Sequence, residues 1–368
     1  MDRSTSRCLW SRISRSVAGI IAAIVLVIGS PVCHAQDGTA GGAPGGANGG
    51  AATSSGGSGG GTSIRLPDIP VDEIRNARVE DAGAFIMANR AAVVLVIAGA
   101  ILALLFINGT IRKSGFKKIG PRKIEVHPAF MWLFAAMMVY LAWQTGAQLI
   151  AQMSWVQNGA AGQTLQRQGV MALVGYAVGI AVGLGMLHLL ARSAPDAGLK
   201  IRAGDVWIGL WAFVLVWPIV EASSILAVWA EHAIGGDTPQ VAHPLLAQIV
   251  ESPNDPWRWV VIASVVLGAP IVEELVYRVF IQSAIIRVIG GVWPGVLITA
   301  VIFALVHRAG DGGGVPWVAI VPIFVLGLAM GIAYERTQRV GVPILMHAAF
   351  NALNGAAVGQ PRRRGRRC

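Results

Sequence analysis

The chain has 368 residues, of which 54% are hydrophobic and only 13% are charged, and its mean hydropathy is +0.61. This balance excludes an ordinary soluble domain and indicates a membrane protein with several spans. The net charge of +10 does not indicate a nucleic-acid partner, because the Lys and Arg residues lie between and beyond the apolar segments, where they act as topology signals.

The amino-terminal region has the pattern of a secretory signal. A basic stretch is followed by an apolar run over residues 17–28 and by small residues that end at Ala35. The pattern predicts a signal peptide over residues 1–35, with cleavage after Ala35. An uncleaved signal anchor is the alternative, and both place the next segment outside the cytoplasm.

Two segments without spanning character follow the signal. Residues 36–63 are almost entirely Gly, Ala, Ser and Thr, so they predict a disordered linker that cannot bury enough apolar surface to fold. Residues 64–90 combine mixed charges with a modest apolar face. They predict an extracytoplasmic amphipathic segment on the membrane surface or, as an alternative, a solvated helix.

Eight apolar segments are long enough, or nearly so, to cross ~30 Å of hydrocarbon. They are residues 91–108, 129–153, 170–191, 206–230, 259–288, 292–307, 317–334 and 341–358. Spanning segments of this kind are helical because each backbone group must be satisfied internally. We therefore expect an all-α, polytopic transmembrane bundle of about eight spans, with amino-terminal helices over 91–258, a catalytic core over 259–358 and a basic tail over 359–368.

The basic residues predict the orientation of the spans. The loops after the first and third spans are rich in Lys and Arg, so the positive-inside rule places both in the cytoplasm. Strict alternation then places the five arginines of the tail outside, in conflict with the same rule, and a re-entrant final segment would remove the conflict. The expected location is the cytoplasmic (inner) membrane, with multiple spans.

Two adjacent carboxylates and an arginine lie inside the fifth apolar segment. Unpaired at bilayer depth, Glu273, Glu274 and Arg278 could together cost ~9 kcal/mol, so they must be paired, hydrated or functional. Glu274 and Arg278 are four residues apart and share a helix face, whereas Glu273 is turned about 100° away. We expect Glu274 to pair with Arg278 and Glu273 to remain available.

Three further polar residues follow in later spans. His307 ends the sixth span, and His347 and Asn351 share one face of the eighth. A satisfied interhelical hydrogen bond is the simpler interpretation of an isolated polar residue such as His188 or Glu221. Six polar groups concentrated in the last four spans favour a functional site over a purely structural network.

These residues form three ordered motifs: Glu-Glu-x-x-x-Arg, Phe-x-x-x-His and His-x-x-x-Asn, with Gly327-Leu-Ala-Met-Gly331 between the last two. Together they resemble the CPBP family of membrane-embedded glutamic proteases, which includes CAAX-type prenyl endopeptidases and bacteriocin-processing or immunity enzymes. The resemblance covers about residues 259–356. It implies that Glu273 activates water with His307 assisting, that His347 and Asn351 hold the oxyanion, and that Glu274 and Arg278 complete the site.

The residue types also suit this chemistry without the resemblance. A buried carboxylate beside a second carboxylate suits a general base, and the side chains of His347 and Asn351 can donate hydrogen bonds to one oxygen. We therefore predict a metal-independent intramembrane endopeptidase without a cofactor. Its expected partners are the lipid bilayer and a membrane-associated or lipidated peptide or protein substrate, with no nucleic acid.

Two other classes remain open at this point. Glu plus two His is also a catalytic zinc set, although the chain has no His-Glu-x-x-His helix. A non-catalytic membrane protein is the second alternative, either a proton-linked transporter or an immunity scaffold that binds a peptide without cutting it. A second half that mirrors the first would favour the transporter, and the sequence shows no such repeat.

Overall fold

A computed structural model describes residues 89–112, 115–116, 120, 122–153, 165–236, 248–249, 251–308 and 315–359. The signal peptide expected over 1–35, the linker over 36–63, almost all of the amphipathic segment over 64–90 and the tail beyond residue 359 lie outside the described residues. The described helices from Ala91 onward belong to one compact unit.

The described residues form eight long helices. They are α1 (Arg90–Ile107), α2 (Ala129–Ala151), α3 (Leu165–Ser193), α4 (Asp205–Ala233), α5 (Trp257–Ile289), α6 (Val292–Arg308), α7 (Trp317–Thr337) and α8 (Gly341–Gly359). The described residues contain no strand, and only isolated bridges join Arg339 to Leu199 and Lys200. The structure confirms the predicted all-α, polytopic helical bundle.

Six of the eight helices, α1 to α5 and α7, are long and apolar enough to cross a membrane. Helix α6 is apolar but has only 17 residues. Helix α8 has 19 residues, and its apolar sequence includes the polar residues His347, Asn351 and Asn354. Helices α6 and α8 carry the two histidines of the candidate site.

Small residues allow close packing of α2 against α3. A Cβ atom added at Gly175 would lie 3.1 Å from Trp143 of α2, and one added at Gly179 would lie 3.0 Å from the same side chain. Trp143 in turn stacks on Tyr176, with ring centroids 5.4 Å apart. Between transmembrane helices van der Waals contact is a main attraction, so glycines that bring the backbones together stabilise the pair.

Helix α5 lies at the centre of the core and is not a uniform α-helix. Its segments Ser264–Gly268 and Leu275–Ile281 are π-helical, and they flank the α-helical turn Ala269–Glu274. Pro270 has no N–H to donate, which removes one α-helical hydrogen bond at this point. Short π-helical segments inside helices are frequent at functional sites, and here they flank the two adjacent glutamates.

The loops between α1 and α2, α3 and α4, α5 and α6, and α7 and α8 meet at one end of the bundle. Lys123 pairs with Asp196, Arg339 pairs with Asp205, each at 3.1 Å, and Phe116 contacts Trp293 with centroids 5.0 Å apart. Because every second loop reaches the same end, consecutive helices run in alternating directions.

One arginine of the basic loop after α1 is buried. Arg122 is 3% exposed and makes a two-pronged ion pair with Glu335 of α7, with N to O distances of 2.9 and 2.5 Å. Burial lowers the pKa of Arg122, but the adjacent carboxylate outweighs this effect and the net direction is upward. Arg122 therefore has two roles: it packs inside the bundle, and it adds to the positive charge of the loop after α1.

Candidate functional site

Three helices bring a carboxylate and two imidazoles together. Oε2 of Glu273 in α5 lies 3.9 Å from Nε2 of His307 in α6 and 3.9 Å from Nε2 of His347 in α8. Both separations exceed hydrogen-bonding distance. Both imidazoles thus lie near the same oxygen of Glu273 without a direct hydrogen bond to it.

The neighbouring carboxylate, Glu274, contacts an arginine and a histidine. Glu274 Oε2 lies 3.1 Å from Nε of Arg278, as the four-residue spacing predicts, and both side chains are 0% exposed. Its other oxygen, Oε1, accepts a hydrogen bond of 3.0 Å from Nδ1 of His347. Two adjacent glutamates therefore contact the two different nitrogens of one imidazole ring.

The hydrogen bonds of the imidazoles fix their orientation. Nδ1 of His307 donates to the carbonyl oxygen of Phe303 at 2.7 Å, and Nδ1 of His347 donates to Glu274. A carbonyl or a carboxylate can only accept, so each Nδ1 carries a hydrogen. When the rings are neutral, both Nε2 atoms are unprotonated and face Glu273.

Phe303 is a packing residue of the site. Its ring lies under the guanidinium of Arg278, with 4.3 Å from Cζ to the centroid, and edge-to-face against His307 and His347 at 4.7 and 5.7 Å. Contacts of a cation with an aromatic face are attractive. Reasoning from the residues alone gave Phe303 no role, although the Phe-x-x-x-His motif contains it.

The glycines of the Gly327-Leu-Ala-Met-Gly331 segment leave room for polar side chains of α5. The carbonyl of Gly327 accepts from Nη2 of Arg278 and that of Gly331 accepts from Nε2 of Gln282, each at 3.5 Å. A Cβ atom at Gly331 would lie 2.9 Å from Oε1 of Gln282. The segment therefore lets α7 pack closely against the charged face of α5.

Asn351 lies one turn beyond His347 in α8. Its amide nitrogen donates a 2.9 Å hydrogen bond to the carbonyl of Val265 in the first π-helical segment of α5. The amide has two hydrogens, so one remains for another acceptor. The other five candidate residues are linked by ion-pair contacts with one another, whereas Asn351 forms its hydrogen bond with the backbone of α5.

Exposure differs sharply between the two glutamates. The side chains of Glu274 and Arg278 are 0% exposed, whereas those of Glu273 and His307 are 14% and 26% exposed. The paired glutamate is therefore sealed within the protein. Glu273 and His307 form the more exposed part of the site, although the Oε2 atom of Glu273 that faces the imidazoles is itself buried and has no hydrogen-bond partner.

The spacing of the site bears on the zinc alternative. Around tetrahedral zinc, with ligand bonds near 2.0 Å, two ligand atoms are about 3.3 Å apart. The Glu273 to histidine separations are 3.9 Å, and the part of the chain that the structure describes holds no group of three or more His, Cys, Asp or Glu arranged for a metal ion. Metal independence stays a prediction.

The fold and the site together define a multi-pass, all-helical membrane protein with a carboxylate, imidazole and guanidinium cluster inside the bundle. Residues 255–353 match the family model described as "Type II CAAX prenyl endopeptidase Rce1-like", consistent with the CPBP resemblance of the three motifs. The match supports an intramembrane endopeptidase with a membrane-associated peptide as substrate. No curated protein and no solved structure matches the chain.

Proposed function

We propose that the protein is a metal-independent endopeptidase of the cytoplasmic membrane that hydrolyses a peptide bond of a membrane-associated or lipidated protein. The observation that carries this proposal is the partly exposed Glu273 carboxylate, with an imidazole Nε2 of His307 and of His347 each 3.9 Å from it. That spacing suits one water molecule bonded to Glu273 and to an imidazole at the same time.

In the first step Glu273 takes a proton from this water, and the water oxygen forms a bond to the carbonyl carbon of the substrate. Nε2 of His307 accepts a hydrogen bond from the second O–H of the water, which keeps this hydrogen, and so directs an oxygen lone pair at the carbonyl carbon. Nε2 is the nitrogen available for this bond, because Nδ1 already donates to the carbonyl of Phe303. Two fixed acceptors on one water lower the entropic cost of the attack.

The carbonyl oxygen becomes an oxyanion, which needs hydrogen-bond donors. His347 serves as an imidazolium, with Nδ1–H bonded to Glu274 and Nε2–H directed at the oxyanion. With His347 charged, the two carboxylates balance Arg278 and His347, so the buried cluster as a whole is neutral. The second amide hydrogen of Asn351 supplies a further donor.

The tetrahedral intermediate then collapses. The bond between the carbonyl carbon and the nitrogen breaks, the electron pair passes to the nitrogen, and the proton held by Glu273 is transferred to the nitrogen through His307. The products are a new carboxyl terminus and a new amine. Glu273 is returned to its starting state, and no covalent intermediate with the protein forms.

The experiment is cleavage of defined substrates in lipid nanodiscs. The full chain is incubated in ¹⁸O-labelled water with a panel of prenylated and unmodified membrane-anchored peptides, in the presence of a strong chelator. We expect one ¹⁸O atom in each new carboxylate and retained activity with the chelator. Absence of cleavage across the panel by folded protein, or chelator-sensitive cleavage restored by zinc, would count against the proposal.

A further inference from the structure

A second charged region lies at the end of the bundle where the basic loops meet. A pocket of about 380 Å³ opens where α3 and α7 end and α4 and α8 begin. Its charged lining consists of Lys123, Asp196, Lys200, Arg202 and Arg339. None of these residues takes part in the candidate active site.

The lining has an excess of positive charge. Asp196 is its one carboxylate, and it is shared between Lys123 at 3.1 Å and Lys200 at 4.0 Å. Arg339 binds the buried Asp205 at 3.1 Å. Arg202 is exposed, and among the described residues no carboxylate lies within ion-pair distance of its guanidinium. At least one cation, and a net positive field, are therefore left for an anionic ligand.

The backbone around the pocket is held in place by hydrogen bonds between its loops, one of them buried. Arg122 donates to the carbonyl of Ala197 at 3.1 Å, and the N–H of Lys123 donates to the carbonyl of Asp196 at 3.2 Å. Gln338 has the left-handed φ of +53° and donates through its side chain to Gly120 at 3.1 Å. Three loops far apart in sequence thus form a preassembled pocket.

Exposed apolar residues lie at the start of α4, directly after the pocket residue Arg202 and the turn that follows it. Val206, Trp207 and Trp211 are 41%, 69% and 46% exposed, and the first of them lies four residues after Arg202. Exposed tryptophans are frequent at the level of lipid headgroups, where their rings are partly apolar and partly hydrated. A ligand that combines an anionic head with apolar chains fits this surface better than a free phosphate ion.

We propose that this pocket binds the headgroup of an anionic phospholipid, with the phosphate between Lys200 and Arg202 and the acyl chains along the exposed face of α4. Basic groups near a membrane surface favour anionic lipid by ~1 kcal/mol each, which is about fivefold in affinity. The loops that carry them are those that the positive-inside rule assigns to the cytoplasm.

Lipid titration of the purified full chain, followed by native mass spectrometry, tests the proposal. The probes are dioleoyl phosphatidylglycerol, dioleoyl phosphatidylcholine and inorganic phosphate as a competitor. We expect phosphatidylglycerol to bind more tightly than phosphatidylcholine. The affinity for phosphatidylglycerol should be about 25-fold lower in the double variant Lys200→Gln with Arg202→Gln and about fivefold lower in Arg202→Gln alone. Inorganic phosphate at the concentration of the lipid should not displace it.

The charge-matched control is Arg112→Gln with Arg287→Gln, which removes two exposed cations outside the pocket. It should bind phosphatidylglycerol as the unmodified chain does. Equal affinity in all variants, equal loss in the control, or displacement of the lipid by inorganic phosphate would overturn the proposal. Unfolding temperatures measured in phosphatidylcholine alone establish that each variant is folded. The single variant Arg202→Gln changes only one exposed side chain, so its fold should be preserved.

Discussion

Glu273 and Glu274 are neighbours in the chain, yet they have different surroundings. Glu274 is 0% exposed and lies between Arg278 and Nδ1 of His347, whereas Glu273 is partly exposed and faces the Nε2 atoms of two imidazoles. A carboxylate held by a guanidinium and an imidazole stabilises the fold and orients the ring. A carboxylate that makes no direct bond to the facing rings is available to take a proton.

The buried ion pair of Glu274 with Arg278 leads to a prediction about stability. Glu274→Gln leaves Arg278 charged without its ionic partner in a buried site, and breaking such a pair typically costs ~3 to 5 kcal/mol. We expect a lower unfolding temperature and lower yield in detergent. The matched variant, Glu274→Gln with Arg278→Met, removes both charges and should recover part of the loss without recovering full activity. An unfolding temperature of Glu274→Gln equal to that of the unmodified chain would show that the pair contributes nothing.

At the scale of helices, the site depends on the local form of α5 and on its close approach to α7. Two π-helical segments flank the turn that carries both glutamates. Gly327 and Gly331 of α7 accept hydrogen bonds from Arg278 and Gln282, which brings the backbone of α7 next to the side chains of α5. A helix with larger residues at these positions could not approach so closely.

Substitution of one of these glycines should therefore be costly. A Cβ atom at Gly331 would lie 2.9 Å from both Gln282 and Val296, so we expect Gly331→Ala to destabilise the protein by ~1 to 3 kcal/mol through overpacking. Gly185→Ala in α3 is the control, because no atom lies within 4 Å of its added Cβ. It should be neutral or slightly stabilising. Thermal unfolding in the same detergent compares the two, and equal effects would argue against close packing of α7 on α5.

At the scale of the whole molecule, the contacts among loops fix the relative directions of the helices. The loops that connect α1 with α2, α3 with α4, α5 with α6, and α7 with α8 meet at one end of the bundle. Helix α6, which has only 17 residues, and helix α8 therefore complete the alternation. Their polar histidines are accommodated because the other helices surround them.

This arrangement predicts the topology. Reporter fusions after Lys123 and after Arg202 should report the cytoplasm, because basic loops are retained inside, and a fusion after Gly159 should report the opposite side. A cytoplasmic signal after Gly159 would contradict the alternation. A fusion after Val358 decides between alternation, which places it outside, and the five tail arginines, which favour the cytoplasm.

Hydropathy was sufficient to predict the helices of the bundle, but not their ends. Helix α3 begins at Leu165 and not at residue 170, because Gln166, Arg167 and Gln168 extend the helix beyond its apolar run. Polar residues at a helix end carry no apolar signal, although their backbone remains helical. The same limitation applies at the end of α4, where Glu231 and His232 are still helical.

The contacts within one helix were predictable, and the contacts between helices were not. The pairing of Glu274 with Arg278 follows from helical spacing. The approach of His307 and His347 to Glu273 depends on three helices, and only the family resemblance indicated it. The buried pair of Arg122 with Glu335 joins residues 213 positions apart, and nothing in the sequence distinguishes Arg122 from the other cations of its loop.

The assignment of Glu273 as the base is tested most directly by the turnover of Glu273→Gln. Glutamine keeps the size of the side chain but cannot accept a proton as a base, so turnover should fall by ~10² or more. The unfolding temperature should barely change, because Glu273 makes no buried ion pair comparable to that of Glu274. A folded Glu273→Gln protein that cleaves its substrate at the rate of the unmodified chain would contradict the account.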